Sequence, residues 1–423
     1  MELLRFEIKK IFNPITIALL GMICASFFII NGYFSIIDFT DDRSINDGGY
    51  ILRSGTSVEY TTCLDWAAKY GETIDDGELE QIKAQRESLA DDITSLFCNI
   101  PEEIVNGLDD NLKRIAANGV TYGTKDYETL SYFVSDHING LFRSGSLSDE
   151  VDRFLSDYSK KENEIKFIDS FISKYELIKN DYLISSGRYS CYSSAADKRL
   201  QALNKSDIRF GYLPQCLIYT TNEYFSGMDK SIIVGILILL SPLFVRDKLH
   251  KMLPTQLSSK TGRRIYKTKM TAAVVTGALF TVFYIALYYA GLLSVDGIKA
   301  FLSFRLPSVM IDYQPWFDMT FGTYLFLNAL LTLLISVTVS LVTAWVSMNS
   351  KNYIDLLIKV FIEYFVLTYT VTLDIPFYPE NFQSTLTGLP LSEVIYTLLL
   401  LGAVISVCIF SVRSRAKKDL IEG

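Results

Sequence analysis

The chain has 423 residues, 49% of them hydrophobic and 13% aromatic, yet it carries 47 acidic against 40 basic residues and a formal charge of -7. An acidic total without a basic stripe excludes nucleic-acid binding as the main task. Two histidines, His137 and His250, leave almost no material for His-ligated metal sites or for Ser-His and Cys-His catalysis, and no phosphate-binding G-x-x-x-x-G-K-[ST] or G-x-G-x-x-G is present.

Charge and hydrophobicity are segregated. Residues 34 to 230 hold 34 Asp/Glu against 21 Lys/Arg, net -13, and the remainder holds 13 against 19, net +6. The chain opens with Leu3-Leu4-Arg5-Phe6-Glu7-Ile8-Lys9-Lys10-Ile11-Phe12, whose Leu4, Ile8, Ile11 and Phe12 share one side. That pattern predicts an amphipathic helix lying along a membrane surface. An apolar stretch from Ile15 to Tyr33 follows; no small-x-small cleavage site comes after it, so it reads as an uncleaved anchor.

The acidic block reads as mainly helical. Leu79, Ile82, Leu89, Ile93 and Leu96 step by helical spacing behind Asp75-Asp76, with Arg86 out of place. Pro101-Glu102-Glu103 predicts a helix whose buried face is Ile104, Leu108, Leu112 and Ile115. A third helix is expected from Lys125, capped by Thr124, through Tyr127, Leu130, Val134 and Ile138. From Leu147 to Tyr182 nine of eleven heptad core positions are apolar or aromatic, Lys161 and Lys179 taking the other two. Such a helix suits either a lever or the spine of a bundle. Cys63, Cys98, Cys191 and Cys216 also lie in this block. They fit two disulfides, for which three connectivities exist, or four free thiols; proximity in sequence favours Cys63 with Cys98 and Cys191 with Cys216.

Five further apolar stretches follow, near Ser231 to Val245 (interrupted by Pro242, and expected to reach back through the interface aromatics Tyr224 and Phe225), Met270 to Ser294, Thr320 to Val346, Tyr353 to Leu373 and Glu393 to Val412. Each is near the ~20 helical residues that cross a hydrocarbon core. The short flanks on one side of these six spans carry 17 Lys/Arg and those on the other only Lys299 and Arg305. The positive-inside rule then places both termini in the cytoplasm and residues 34 to 230 outside. The expected fold is an all-α membrane protein of six transmembrane helices: residues 1–33 as surface helix and first span, 34–230 as an extracellular helical domain, and 231–423 as spans two to six with a cytoplasmic loop at 246–269. Glu363 lies about ten residues into the fifth span, as a translocation candidate or as an ion pair with Lys359. Asn328, Ser336, Thr338, Ser340 and Thr343 are polar positions of the fourth span, read mainly as interhelical hydrogen-bonding groups, with Asn328 a second translocation candidate.

After the second span comes Phe244-Val245-Arg246-Asp247-Lys248-Leu249-His250-Lys251-Met252-Leu253, then Gln256-Leu257-Ser258-Ser259-Lys260-Thr261-Gly262-Arg263-Arg264 and Lys267-Thr268-Lys269. Together with the leading amphipathic segment and the six-span plan, this loop resembles the permease subunits of the ABC-2 type family of ATP-binding cassette transporters. It departs from that pattern at Arg246-Asp247-Lys248, where Glu-Arg or Glu-Lys is common, and at Lys251, where Gly is usual. The resemblance implies a non-catalytic subunit of a bacterial exporter in the plasma membrane. Its partners would be cytoplasmic ATPase subunits that hold the ATP and Mg, a second permease subunit, identical or not, and membrane lipids. It further implies that Glu7, Asp247, Lys248, Met252, Leu253, Arg263 and Arg264 couple to the ATPase, with residues 349 to 355 a smaller contact. No metal or cofactor is expected in this chain. The acidic outer block leaves a cationic or amphipathic antimicrobial peptide as one conceivable substrate. A mechanical transmitter that moves nothing, and a membrane-anchored sensor or binding module, are the rival readings.

Overall fold

A computed structural model describes residues 2–33, 44–46, 50–52, 55–143, 148–179, 210–250, 252, 265–310, 318–374 and 392–422. The chain divides into two compact units. One comprises Met1–Ile36, Tyr219–Ile298 and Pro315–Gly423, and the other Ile37–Ile218 with Lys299–Gln314. Both are helical; among the described residues, named strands are confined to a hairpin of β1 (Ser44–Asn46) and β2 (Tyr50–Leu52).

The second unit is a bundle built on α3 (Gly55–Tyr70), α4 (Asp76–Phe97), α5 (Glu102–Gly107), α6 (Asp110–Ala117), α7 (Lys125–Arg143) and α8 (Asp149–Lys179). Asp75 starts α4 with a capping box: its carboxylate accepts the Glu78 N–H at 2.8 Å, and the Glu78 carboxylate accepts the Asp75 N–H at 2.9 Å. Helix α4 then buries Leu79, Ile82, Ile93 and Phe97 against the long α8. The misplaced Arg86 is explained by that neighbour, since it pairs with Asp169 at 2.9 Å. The two lysines that interrupt the heptad pattern do the same in reverse. Lys161 binds Asp92, and Lys179 binds Asp76 at 2.7 Å, so α4 and α8 run antiparallel with charged pairs at their solvent edge.

Phe97 lies at the centre of one aromatic cluster, with ring centroids 5.3 Å from Tyr127, 6.0 Å from Phe154 and 5.3 Å from Tyr158. Trp66 centres another, 5.0 Å from Phe171 and 6.0 Å from Tyr212. Helix α8 is thus the spine of a bundle, and Phe171 rather than Ile172 faces its core. The single helix expected after Pro101 is two, because the chain turns at Leu108 and restarts where Asp109 accepts the Leu112 N–H at 2.8 Å. The segment 299–314 completes this unit: Phe301 packs 5.7 Å from Tyr60, the Val309 N–H reaches the Gly211 carbonyl at 2.7 Å, and Ser308 Oγ donates to the Leu213 carbonyl at 3.1 Å.

The first unit holds the apolar helices. Helix α1 (Glu2–Ile11) is followed by α2 (Pro14–Phe27), bent from it by 56°. Asn13 makes that corner by accepting the Thr16 N–H at 2.9 Å, while Pro14 supplies the preset first turn of α2. Then come α9 (Gln215–Leu240), α10 (Pro242–Leu249), α11 (Ile265–Leu293), α12 (Phe321–Asn349), α13 (Tyr353–Asp374) and α14 (Ser392–Glu422). Among the described residues, four helical segments are long and apolar enough to cross a membrane: Gln215–Leu249, Ile265–Leu293, Phe321–Asn349 and Val394–Arg415. The bent α1–α2 pair would make a fifth. The helix of the second expected span does reach back through Tyr224 and Phe225, as far as Gln215. Pro242 does not end it, but opens the short α10 that continues it.

Close helix contact is made by small residues. A methyl group added at Gly277 of α11 would stand 1.9 Å from Ser340 Oγ of α12, and one at Gly235 of α9 would stand 2.3 Å from Phe280 of α11.

Candidate functional site

The end of α9–α10, the start of α11 and helix α1 meet in a knot of charged side chains. Asp247 is fully buried, and Lys269 and Glu7 are each only 1% exposed. Asp247 binds Lys10 of α1 through one oxygen and Lys269 of α11 through the other. Lys269 also lies 4.0 Å from Glu7 and 5.2 Å from the Phe244 ring. Arg246 donates to the Lys10 carbonyl at 3.0 Å. Two carboxylates and two ammonium groups so placed offset one another's charge where neither sign would be tolerated alone. The next residue ties in a further element: Lys248 Nζ donates to the carbonyls of Met348 and Ser350 at 2.5 and 2.8 Å, at the end of α12. Ser347 reinforces that junction, accepting the Phe244 N–H at 3.1 Å and donating to the Ser241 carbonyl at 2.6 Å.

These positions correct part of the expected coupling surface. Glu7 and Asp247 are buried inside the knot rather than presented at the surface, and Lys248 is engaged by the α12 terminus. The sequence carried no sign of this, since an acidic-basic pair beside a span looks the same whether it faces water or another helix. Met252 is about half exposed. Leu253, Arg263 and Arg264 lie outside the described residues, as do residues 375–391 between α13 and α14 and Cys191.

Deeper in the same unit, Glu363 of α13 is 6% exposed. Its Oε1 accepts a hydrogen bond from Thr343 of α12 at 2.7 Å, and its Oε2 is buried without a partner. The expected ion pair with Lys359 does not form. Lys359 is held by Asp355 at 2.9 Å and by the Asn349 carbonyl at 3.1 Å, toward the start of α13. Glu363 borders a cavity of 470 Å³ between α12, α13 and α14, whose wall includes Val342, Trp345, Ile362, Tyr396 and Leu400. Asn328 is buried elsewhere on α12 and is not part of that wall. Ser336, Ser340 and Thr338 return their hydroxyls to carbonyls three or four residues earlier in α12, rather than to another helix.

Two polar contacts escaped the sequence reading because α9 starts earlier than its apolar run. Asn222 accepts from the Tyr324 hydroxyl, and Asp229 accepts from Thr332 at 2.9 Å, so both lie against α12. Tyr224 and Phe225, recognisable in sequence as interface aromatics, were the available signal that the helix extends back this far.

The cysteines in the second unit do not form the expected Cys63–Cys98 bridge. Both are free thiols: Cys63 faces the bundle core and Cys98 is exposed just past the end of α4. Burial pushes the Cys63 thiol well above its ordinary pKa. Cys216 is likewise a buried free thiol at the start of α9. Among the described residues no group of three or more His, Cys, Asp or Glu could hold a metal ion. Comparison of the chain with protein-family models, with curated proteins and with solved structures gives no match.

Proposed function

We propose that this chain is the permease subunit of a bacterial ABC exporter, crossing the plasma membrane six times with both termini in the cytoplasm and coupled to ATPase subunits on separate chains. The observation that carries the reading is the knot at Asp247. It binds a surface-type helix, the end of one span and the start of the next into one piece. A helix pushed from the cytoplasm would move with those spans. This is the mechanical requirement for an energy source outside the chain. Met252, Leu253, Arg263 and Arg264 remain the residues assigned to ATPase contact, whereas Glu7, Asp247 and Lys248 hold the helices that such a contact would move.

The packing is compatible with the proposed topology. Residues 299–314 fold into one unit with residues 37–218, so these segments belong on the same side of a membrane. Lys10, Asp247, Lys269 and the α12 terminus lie together, and the proposed topology assigns them to the side bearing 17 of the 19 basic residues in the short flanks.

Affinity purification of the full chain from its native membranes in mild detergent tests the proposal. A cytoplasmic ATPase should co-purify, and its activity in proteoliposomes should rise with substrate accumulating on the side of the helical unit. A preparation without any ATPase would sink the proposal. ATPase activity without transport of any solute would instead favour a mechanical transmitter.

A further inference from the structure

The cavity between α12, α13 and α14 has a wall that is apolar apart from Thr338, Asn349 and Lys359, and Glu363 is its buried acid. Its volume of 470 Å³ is within the ~300–1,000 Å³ range of sites that hold small organic molecules. Apolar helices around such a space would be satisfied by any hydrocarbon chain. Glu363 would not. A buried acid with one oxygen unpartnered is costly, and in the six-span reading proposed above it would be an ionisable residue within the membrane, a class that marks functional positions. The nearest lysine on its helix, Lys359, is engaged by Asp355 and by the Asn349 carbonyl. Thr343 satisfies only Oε1. What the cavity offers is therefore an incompletely satisfied carboxylate beside a mainly apolar wall.

The geometry points to a binding site for an amphiphile with a primary ammonium head, which pairs with the Glu363 carboxylate while its hydrocarbon body occupies the space beside Trp345 and Tyr396. This goes beyond the exporter reading, because it requires no ATPase. The same chemistry is offered by a free alkylamine and by an aminophospholipid, and the two are separable.

Trp345 lines the cavity and reports occupancy directly. The full chain is placed in phosphatidylcholine nanodiscs and titrated with a dodecylamine brominated along its chain, and in parallel with the equally brominated dodecanol. The amine should quench tryptophan fluorescence saturably, at a concentration roughly tenfold or more below the alcohol, one decade being about 1.4 kcal/mol. Trp345→Phe should remove that quenching. Glu363→Gln should bring the amine to the level of the alcohol. Should that variant fail to fold, competition in the unaltered chain by unbrominated dodecylammonium, but not by dodecanol, makes the same distinction. Brominated phosphatidylethanolamine that quenches selectively over brominated phosphatidylcholine would support the site and identify its ligand as a lipid head group; selectivity for the alkylamine alone would support it with a free amphiphile. Equal quenching by amine and alcohol, or an unchanged amine response in Glu363→Gln, would overturn the inference and leave the space to hydrocarbon tails.

Discussion

At the scale of single residues, the placement of Asp247 decides what its loss should do. Asp247→Asn strands two ammonium groups, of which Lys269 is 1% exposed. Breaking a buried pair by removing one partner costs roughly 3–5 kcal/mol. Lys10→Met removes only one cation and leaves the Asp247–Lys269 pair, so its cost should be clearly smaller. Thermal midpoints of the two variants in detergent compare them directly, and an unchanged midpoint in Asp247→Asn would show that the knot does not hold the helices together. Outside the spans, Glu59 of α3 titrates in the opposite sense from an ordinary paired carboxylate. Burial pushes its pKa above 4.5, with N–H bonds from Cys216 and Gln215 and the charge of Lys174 opposing the shift. The native state therefore binds the proton more tightly than the unfolded chain. The stability contributed is present below a pH of about 4.5 and is lost as pH rises through the raised value. Glu59→Gln keeps an acceptor and should flatten that part of a stability-against-pH curve; an unaltered curve would show that another group sets it.

Sequence reading reached this scale only in part. Arg86, Lys161 and Lys179 stood out as exceptions to their helical patterns, and each proved to have an acidic partner on the facing helix. The partners were illegible because periodicity fixes a helix's own faces but not the register between two helices. Glu363 was visible for the same reason, as a charge in an apolar run, while the choice between Lys359 and Thr343 as its neighbour depended on how α12 and α13 pack.

At the scale of elements, start signals were the most readable feature. Asp75 and Thr124 cap α4 and α7 where the sequence placed them. Asp75→Ala should destabilise the second unit by about 1 kcal/mol, measured by denaturant unfolding, because it removes one arm of the capping box. Less readable were interruptions, since Leu108 sits at helical spacing from Ile104 and Leu112 although the chain turns there and restarts at Asp109. Between helices, the Gly277–Ser340 approach leaves no room for a methyl group. Gly277→Ala should therefore cost about 1–3 kcal/mol through overpacking. Ser340→Gly should recover much of that loss in the double variant, whereas additive losses would place the two residues out of contact.

At the scale of the whole molecule, the charge segregation of the sequence and the composition of the folded units make one joint prediction. The acidic block folds together with the segment after α11, although 80 residues separate Ile218 from Lys299. No local pattern in the sequence announces that union; it depends on Tyr60 and Tyr212 meeting Phe301 and Phe304. The proposed topology therefore requires Cys98 and an added thiol at Ser303, both exposed positions, to share one side of the membrane. Lys351, exposed at the short connection after α12, must lie on the other. In intact cells a membrane-impermeant maleimide should label Cys98 in the natural chain. With Cys98 replaced by serine, it should label Ser303→Cys, but reach Lys351→Cys only after permeabilisation. Labelling of Lys351→Cys in intact cells would invert the topology and with it the assignment of the Asp247 knot to the ATPase side. Labelling that separates Cys98 from Ser303→Cys would break the second unit itself, because two parts of one folded core cannot be divided by a bilayer.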